Sequence, residues 1–323
     1  MTSSDLVIES RGLARQFRTR AGVVDAVCGV DFHVARGEIV GFLGPNGAGK
    51  STTQRMLATL LAPTAGEATI AGCDLRRDPN GVRRRIGYVA QGGTTNPSAL
   101  VREELVLQAR LYGIDRQQAE ARAAEMCARL DLADLGARLI KTLSGGQRRR
   151  LDVALGLVHR PEVVFLDEPS TGLDPQTRAN LWQHIRALRG EQGATVFLTT
   201  HYLDEADALC DRILIIDRGR IVAAGTPDEL KRRISGDLVT FAVAAADVER
   251  VRGLVVGQPG VREAVARAET VQVTVDRGDE RAPSLMRALD GAGVVVASMQ
   301  VARPTLDDVF LTLTGHSLRE AAA

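Results

Sequence analysis

The chain has 323 residues, 45% of them apolar, which is enough for one large domain and a smaller one. Lysine and arginine total 41 against 40 acidic residues, so no excess positive charge argues for a nucleic-acid partner. No run approaches the ~18 apolar residues that cross a bilayer, and Met1-Thr2-Ser3-Ser4-Asp5 lacks the basic-then-apolar order of a secretion signal, so membrane work is expected to go through another chain.

From about residue 5 to 42 the chain reads as strands and turns. Leu6-Val7-Ile8 is expected to be a short strand, Val23–Val27 another, and Val30–Val34 a third that alternates apolar with polar residues. Arg36-Gly37-Glu38 turns the chain into the apolar strand Ile39–Leu43. Next comes Gly44-Pro45-Asn46-Gly47-Ala48-Gly49-Lys50-Ser51, which fits G-x-x-x-x-G-K-[ST], and then a helix-compatible segment from Thr53 to Leu60. Strand, glycine loop and helix in that order make a phosphate-binding P-loop. The glycines let successive N–H groups turn toward one point, and the helix N-terminus adds a partial positive charge there. Lys50 is placed to reach the β- and γ-phosphates of a nucleotide, and the Ser51 hydroxyl to ligate Mg²⁺.

Ala62–Gly66 reads as a turn and Ala68–Ala71 as a short strand. Residues 101–135 have helical character, with Leu105, Gln108, Ala109 and Tyr112 at three- and four-residue steps. Leu143-Ser144-Gly145-Gly146-Gln147 then precedes a helical segment, Arg148–Leu157. A serine and two glycines before a helix present free N–H groups, hence a second anion site that a single P-loop does not need. Two apolar strands follow: Val163–Leu166 runs into Asp167-Glu168, and Thr195–Leu198 into Thr199-Thr200-His201. Apolar strands alternating with helices indicate a buried parallel sheet, whose ligands sit beyond the carboxyl ends of the strands. The P-loop, the paired carboxylates and His201 are therefore expected to converge on one edge. The side chains of Asp167 and Glu168 should diverge, one toward a cation and one toward a nucleophile, and His201 can hydrogen-bond a γ-phosphate oxygen.

Past about residue 234 the texture changes. Strands at Leu238–Val243, Val271–Val275 and Val294–Val301 alternate with helices at Asp247–Leu254 and Ser284–Leu289, with room for a strand near Val261–Val265. This order suggests a small ferredoxin-like α+β module, giving domains at 1–234 and 235–323. In the tail, Leu306, Val309, Phe310 and Leu313 share one helical face, and Thr305 with Asp308 forms a helix-starting pattern. The stripe is expected to dock on its own domain, with a dimer contact as the alternative. Cys28, Cys73, Cys127 and Cys210 form no C-x-x-C pair and read as buried thiols of a reducing compartment. The basic runs Arg83-Arg84-Arg85 and Arg148-Arg149-Arg150 lack interleaved aromatics and read as solvated or partner-facing surface.

Leu-Ser-Gly-Gly-Gln combined with the P-loop makes the first 230 or so residues resemble the ATP-binding-cassette (ABC) ATPases. The resemblance implies a P-loop α/β core with antiparallel β and helical subdomains, using ATP and Mg²⁺. Phe17 would stack on adenine, while Gly44, Asn46, Gly47, Gly49, Lys50, Ser51 and Thr52 would hold the phosphates. Ser51, Asp167 and the Q-loop Gln91 would bind the metal. Glu168 would polarise the attacking water, with Lys50, Gln91 and His201 completing the catalytic set. Ser144 and Gly146 would close over the γ-phosphate of the opposite subunit, toward which Asp174 of the D-loop Ser170-Thr171-Gly172-Leu173-Asp174 also faces.

Within that superfamily, three stretches resemble the ATP-binding subunits of daunorubicin-resistance-type exporters: Arg83-Arg84-Arg85-Ile86, Arg148-Arg149-Arg150-Leu151-Asp152 and Pro304–Leu311. This implies a homodimer, bound peripherally at the cytoplasmic face of the membrane through a separate polytopic permease that exports a drug, antibiotic, lipid or polysaccharide. No nucleic acid is implied. The alternative is a soluble ABC ATPase serving as an assembly factor or scaffold without transport. Gln91-Gly92-Gly93-Thr94-Thr95 is Gly- and Thr-rich where the family varies, and names no permease surface.

Overall fold

The computed structural model describes residues 5–20, 22–93, 95–234, 236–302 and 305–314, so Thr94 of the Q-loop stretch and Pro304 of the tail motif lie outside it. The chain divides into two compact units after Ala224. The first unit opens with two long strands, β1 (Leu6–Thr19) and β2 (Gly22–Ala35), where the pattern of apolar residues suggested three short ones. Glycine accounts for the difference. Gly12 and Gly29 adopt positive φ where the β1–β2 register slips, so the strands bulge and continue instead of ending.

β3 (Ile39–Leu43) leads through the P-loop to α1 (Lys50–Leu57). There follow β4 (Ala65–Ile70), β5 (Cys73–Asp74), α2 (Pro79–Arg85) and β6 (Ile86–Val89), then the helices α3 (Val101–Leu111), α4 (Arg116–Arg129) and α5 (Gly145–Leu157). The unit closes with β7 (Val163–Asp167), α6 (Pro175–Gln192), β8 (Thr195–Thr200), α7 (Leu203–Leu209), β9 (Arg212–Asp217) and β10 (Arg220–Gly225). One antiparallel sheet has the order β2-β1-β4-β5; the other runs β10-β9-β3-β8-β7-β6, with β9, β3, β8, β7 and β6 parallel.

Strands β3, β7 and β8 are buried along their whole length, as their unbroken apolar runs require. The core joins Ile8 and Phe32 of the antiparallel sheet to Phe42, Phe165 and Phe197 of the parallel one, with Met56 and Leu57 of α1. The rings of Phe32, Phe42 and Phe197 lie 5.5–6.1 Å apart. This packing matters for the site because β3, β8 and β7 are immediate neighbours. Their carboxyl ends therefore deliver the P-loop, His201 and the Asp167-Glu168 pair to one edge.

The second unit contains α8 (Pro227–Ile234), β11 (Asp237–Val243), α9 (Val248–Val256), β12 (Val261–Arg267), β13 (Thr270–Val275), α10 (Gly278–Gly291), β14 (Val296–Ala302) and α11 (Leu306–Thr314). Its antiparallel sheet has the order β12-β13-β11-β14, and the path from β11 to β14 is the βαββαβ of a ferredoxin-like fold. Phe241, Val271 and Val273 pack against Val251 and Val255 of α9 and Leu285 and Leu289 of α10. Helix α11 packs on α8, burying Leu306, Val309 and Phe310, while Leu313 stays 39% exposed. The tail stripe thus docks within its own unit. Helix α8 goes with that unit, whereas sequence texture placed it before the boundary. Thr305 N donates to Asp308 Oδ2 (2.8 Å) and Asp308 N to Thr305 Oγ1 (3.3 Å), so the start of α11 is capped reciprocally.

Candidate nucleotide site

The loop between β3 and α1 borders a cavity of about 390 Å³ that Asn46, Gly47, Gly49, Lys50, Ser51 and Thr52 help to line. Gly47 and Gly49 take φ of 78° and 104°, which other residues resist. A Cβ at Gly44 would stand 2.3 Å from the Ile216 carbonyl oxygen, and one at Gly49 2.5 Å from that of Ala26. The glycines are therefore needed for close packing as well as for the turn. No side chain caps α1, so the N–H groups of its first turn stay available to a bound anion. Lys50 is 5% exposed and donates to the carbonyls of Gly44 (2.7 Å) and Pro45 (3.0 Å). Burial pushes its pKa down, opposed by Glu168, whose Oε1 is 3.6 Å away.

The two carboxylates diverge as adjacent strand-end side chains should. Asp167 Oδ1 accepts from Ser51 Oγ (2.9 Å) and Thr199 Oγ1 (2.7 Å). Two hard oxygen ligands this close, beside the P-loop cavity, suit a Mg²⁺ ion. Glu168 points the other way. Its Oε2 accepts from Gln91 Nε2 (2.8 Å) and Thr171 Oγ1 (3.2 Å), and its Oε1 lies 3.2 Å from His201 Nδ1. That last approach is one of distance, since His201 Nδ1 makes no aligned hydrogen bond. The adjoining imidazole, helped by the Lys50 ammonium, holds the Glu168 carboxyl below the usual range despite burial. Glu168 is therefore ionised at neutral pH and can accept a proton or a hydrogen bond. Its backbone φ is 44°, a left-handed conformation that costs a non-glycine residue about 1–3 kcal/mol.

Residues 27–171 match the ABC transporter family, and residues 225–314 the C-terminal domain of DrrA1-3-like ATP-binding proteins. Daunorubicin resistance ATP-binding protein DrrA3 of Streptomyces coeruleorubidus is 44% identical over 93% of this chain and 94% of its own length. The chain belongs to the ABC transporter ATP-binding proteins of the DrrA group. Doxorubicin resistance ATP-binding protein DrrA of Mycobacterium tuberculosis is 39% identical, over 97% of this chain and 95% of its own. Among solved structures, the dimeric post-hydrolysis state of the ATP-binding cassette MJ0796 bound to ADP and Pi matches with a TM-score of 0.63 at 25% identity. That match covers 68% of this chain and 98% of the other. This chain is thus an ABC transporter subunit, an ATPase that binds nucleotide.

Not every residue expected at the ABC site meets the phosphate cavity. Phe17 sits on β1 opposite Val24, half-buried, with the Arg15 guanidinium 4.8 Å over its ring; Ala26 of β2 is what lines the cavity. Gln91 reaches the cavity but spends its amide N–H on Glu168. Ser144 and Asp174 are exposed and lie outside it. Ser144 caps α5 in a box with Gln147, and Asp174 caps α6 by accepting from Thr177 N (3.0 Å). A Cβ at Gly146 would stand 2.3 Å from Thr177 Cγ2, so the two helix starts abut.

Other site residues were missed by the sequence reading. Thr199 Oγ1 holds Asp167 and also accepts from the Glu168 N–H (3.1 Å), and the Tyr88 hydroxyl is 3.4 Å from Asp167 Oδ2. The expectation that Arg148-Arg149-Arg150 forms solvated surface fails at Arg149, which is 7% exposed. Its guanidinium donates to three carbonyls at the ends of β6 and β7. A three-residue basic run says nothing about which member turns inward. The helical period supplied the available signal, because Arg149 stands one turn ahead of Val153 on the face that also carries Gly156 and Leu157.

Asp152, one turn further along α5, lies 3.9 Å from Arg149, and burial pushes its pKa up to about 6 against the pull of Arg149. A carboxyl whose folded pKa is raised adds to stability below its unfolded pKa, and that contribution is lost as pH rises through about 6. Asp152→Asn is therefore expected to be the more stable form above pH 6, by on the order of 1–3 kcal/mol. The gap should close toward about pH 4. Urea midpoints of both proteins across that range measure it, and equal midpoints at high pH would refute it.

Proposed function

We propose that this chain is the ATP-hydrolysing half of a two-component exporter, pairing as a homodimer beneath a separate polytopic permease at the cytoplasmic face of the membrane. The observation that carries the proposal is the match over almost the full length, C-terminal unit included, to drug-resistance ATP-binding proteins. In this reading the P-loop amides and Lys50 bind the ATP phosphates, and Phe17 meets the adenine. Ser51, Asp167 and the Oε1 of Gln91 would hold Mg²⁺, which when bound neutralises charge on the phosphates. Glu168 accepts a hydrogen bond from the attacking water, and His201 senses the γ-phosphate. Ser144 and Gly146 complete the site of the other subunit, with Asp174 beside them. Their place outside the chain's own cavity, with Ser144 and Asp174 exposed, supports this: one chain holds both halves but does not join them. The exported molecule belongs to the antibiotic-like class named for the relatives, with lipids and polysaccharides as neighbouring possibilities.

The test is affinity capture of the full chain from detergent-extracted membranes of its own host. Recovery of a polytopic membrane protein whose presence raises ATP turnover is the expected outcome. Recovery with soluble partners alone would refute export and favour the assembly-factor alternative.

A further inference from the structure

Arg149 touches nothing that would face a nucleotide, yet its donors are spent on the catalytic backbone. Nε donates to Pro169 O (2.7 Å), Nη2 to Asp167 O (3.0 Å) and Nη1 to Ala90 O (2.6 Å). Asp167 and Pro169 flank Glu168, and Ala90 immediately precedes Gln91. One planar cation thus grips the chain on both sides of the left-handed Glu168 and, through the next strand, the backbone that presents Gln91. The Gln91–Glu168 hydrogen bond of 2.8 Å spans the two segments that it fixes.

We propose that Arg149 is a positioning residue for ATP hydrolysis, setting the separation of the Gln91 amide from the Glu168 carboxylate and holding Glu168 in its left-handed conformation. The carbonyls of Ala90, Asp167 and Pro169 converge on one buried point, where they would repel one another and lack donors without a cation between them. A guanidinium carries five N–H donors in a rigid fork, so three carbonyls in different directions can be satisfied at once. An ammonium on a flexible stem offers no such plane. Relaxing the grip would let residue 168 drift toward an ordinary φ and carry its carboxylate out of line. A misplacement of about 1 Å at a reacting group can cost on the order of a hundredfold in rate.

The proposal rests on the hydrolytic reading of Glu168, and the experiment separates the two. ATP turnover by the full chain and by Glu168→Gln tests that reading by itself. Arg149→Lys is then compared for kcat, for affinity by fluorescent-nucleotide titration, and for Tm. The expected result is a kcat lowered about tenfold or more, with nucleotide affinity within about twofold of wild type. In a Gln91→Ala background the same substitution should cost less than it does in the wild type, because the part of the alignment that runs through Gln91 is already lost. An unchanged kcat, full additivity of the two substitutions, or affinity and turnover falling together with Tm would each overturn the proposal. Should Arg149→Lys fail to fold, Arg149→Gln retains a donor for one carbonyl. It must show the same split between kcat and affinity, and otherwise the proposal falls.

Discussion

A Glu168→Gln variant is expected to bind ATP with near-native affinity, lose turnover by roughly 10²–10⁴-fold, and accumulate as a dimer in the presence of ATP. The substitution is nearly isosteric. It keeps the carbonyl that can accept from Thr171, and it leaves the φ of 44° as it was. What disappears is the negative charge that lies 3.6 Å from Lys50 Nζ and 3.2 Å from His201 Nδ1. Without that charge the carboxylate proposed to draw a proton from water is gone, while the P-loop cradle proposed to bind the phosphates is untouched. Unhydrolysed ATP is then expected to keep two copies closed, with Ser144 and Gly146 of each proposed to complete the site of the other. Phosphate release and light scattering with and without ATP measure both effects. A monomeric variant with full turnover would end this scheme.

Lys50→Ala should have the other large effect, on binding. The ammonium is buried and already tied to the Gly44 and Pro45 carbonyls, so it is aimed before any phosphate arrives. Charge-assisted contacts of this sort are about twice as strong as neutral ones, and removing one in a water-poor site is expected to weaken ATP binding by about a hundredfold. A second cost falls on the apo protein. The side chains of Lys50 and Glu168 are 4% and 8% exposed, and deleting the cation leaves a buried carboxylate facing His201, Gln91 and the Thr171 hydroxyl. Loss of one partner from a buried pair costs about 3–5 kcal/mol when the other stays charged; protonation of Glu168 would limit this. Nucleotide titration and urea unfolding check the two effects separately. Unaltered ATP affinity would remove Lys50 from the phosphate site.

Most of the site could be read from the sequence because its chemistry is local. The P-loop, Asp167-Glu168 and Ser144–Gln147 each occupy a few consecutive residues beside an unmistakable apolar strand or a helix start. Their convergence followed from the parallel sheet alone, since β3, β8 and β7 must share a carboxyl edge. What escaped was whatever depends on contacts distant in sequence. Arg149 reads as one of three arginines in a row, and only the packing of α5 against the ends of β6 and β7 turns it inward. Thr199 reads as the end of a strand, yet it holds both Asp167 and the Glu168 N–H. Strand lengths were misjudged where glycines at 12 and 29, which usually end a strand, form bulges within one. Helix α8 carries strong helical signals but nothing in its own residues to say which unit it packs on; only the burial of Leu306, Val309 and Phe310 in α11 beside it does.

The left-handed backbone at Glu168 bears on any attempt to make this protein sturdier. Glycine or asparagine would sit at φ 44° with less strain, so a redesign guided by conformational ease alone would choose one of them. Glycine has no acid group, and asparagine is shorter by one methylene and uncharged. Either would relieve about 1–3 kcal/mol of strain, but would leave the buried Lys50 ammonium without its carboxylate partner and, on the hydrolytic reading of Glu168, would remove the group that acts on water. At this position an easy backbone and a paired buried charge are opposing demands, so relief of strain by itself does not make the molecule sturdier.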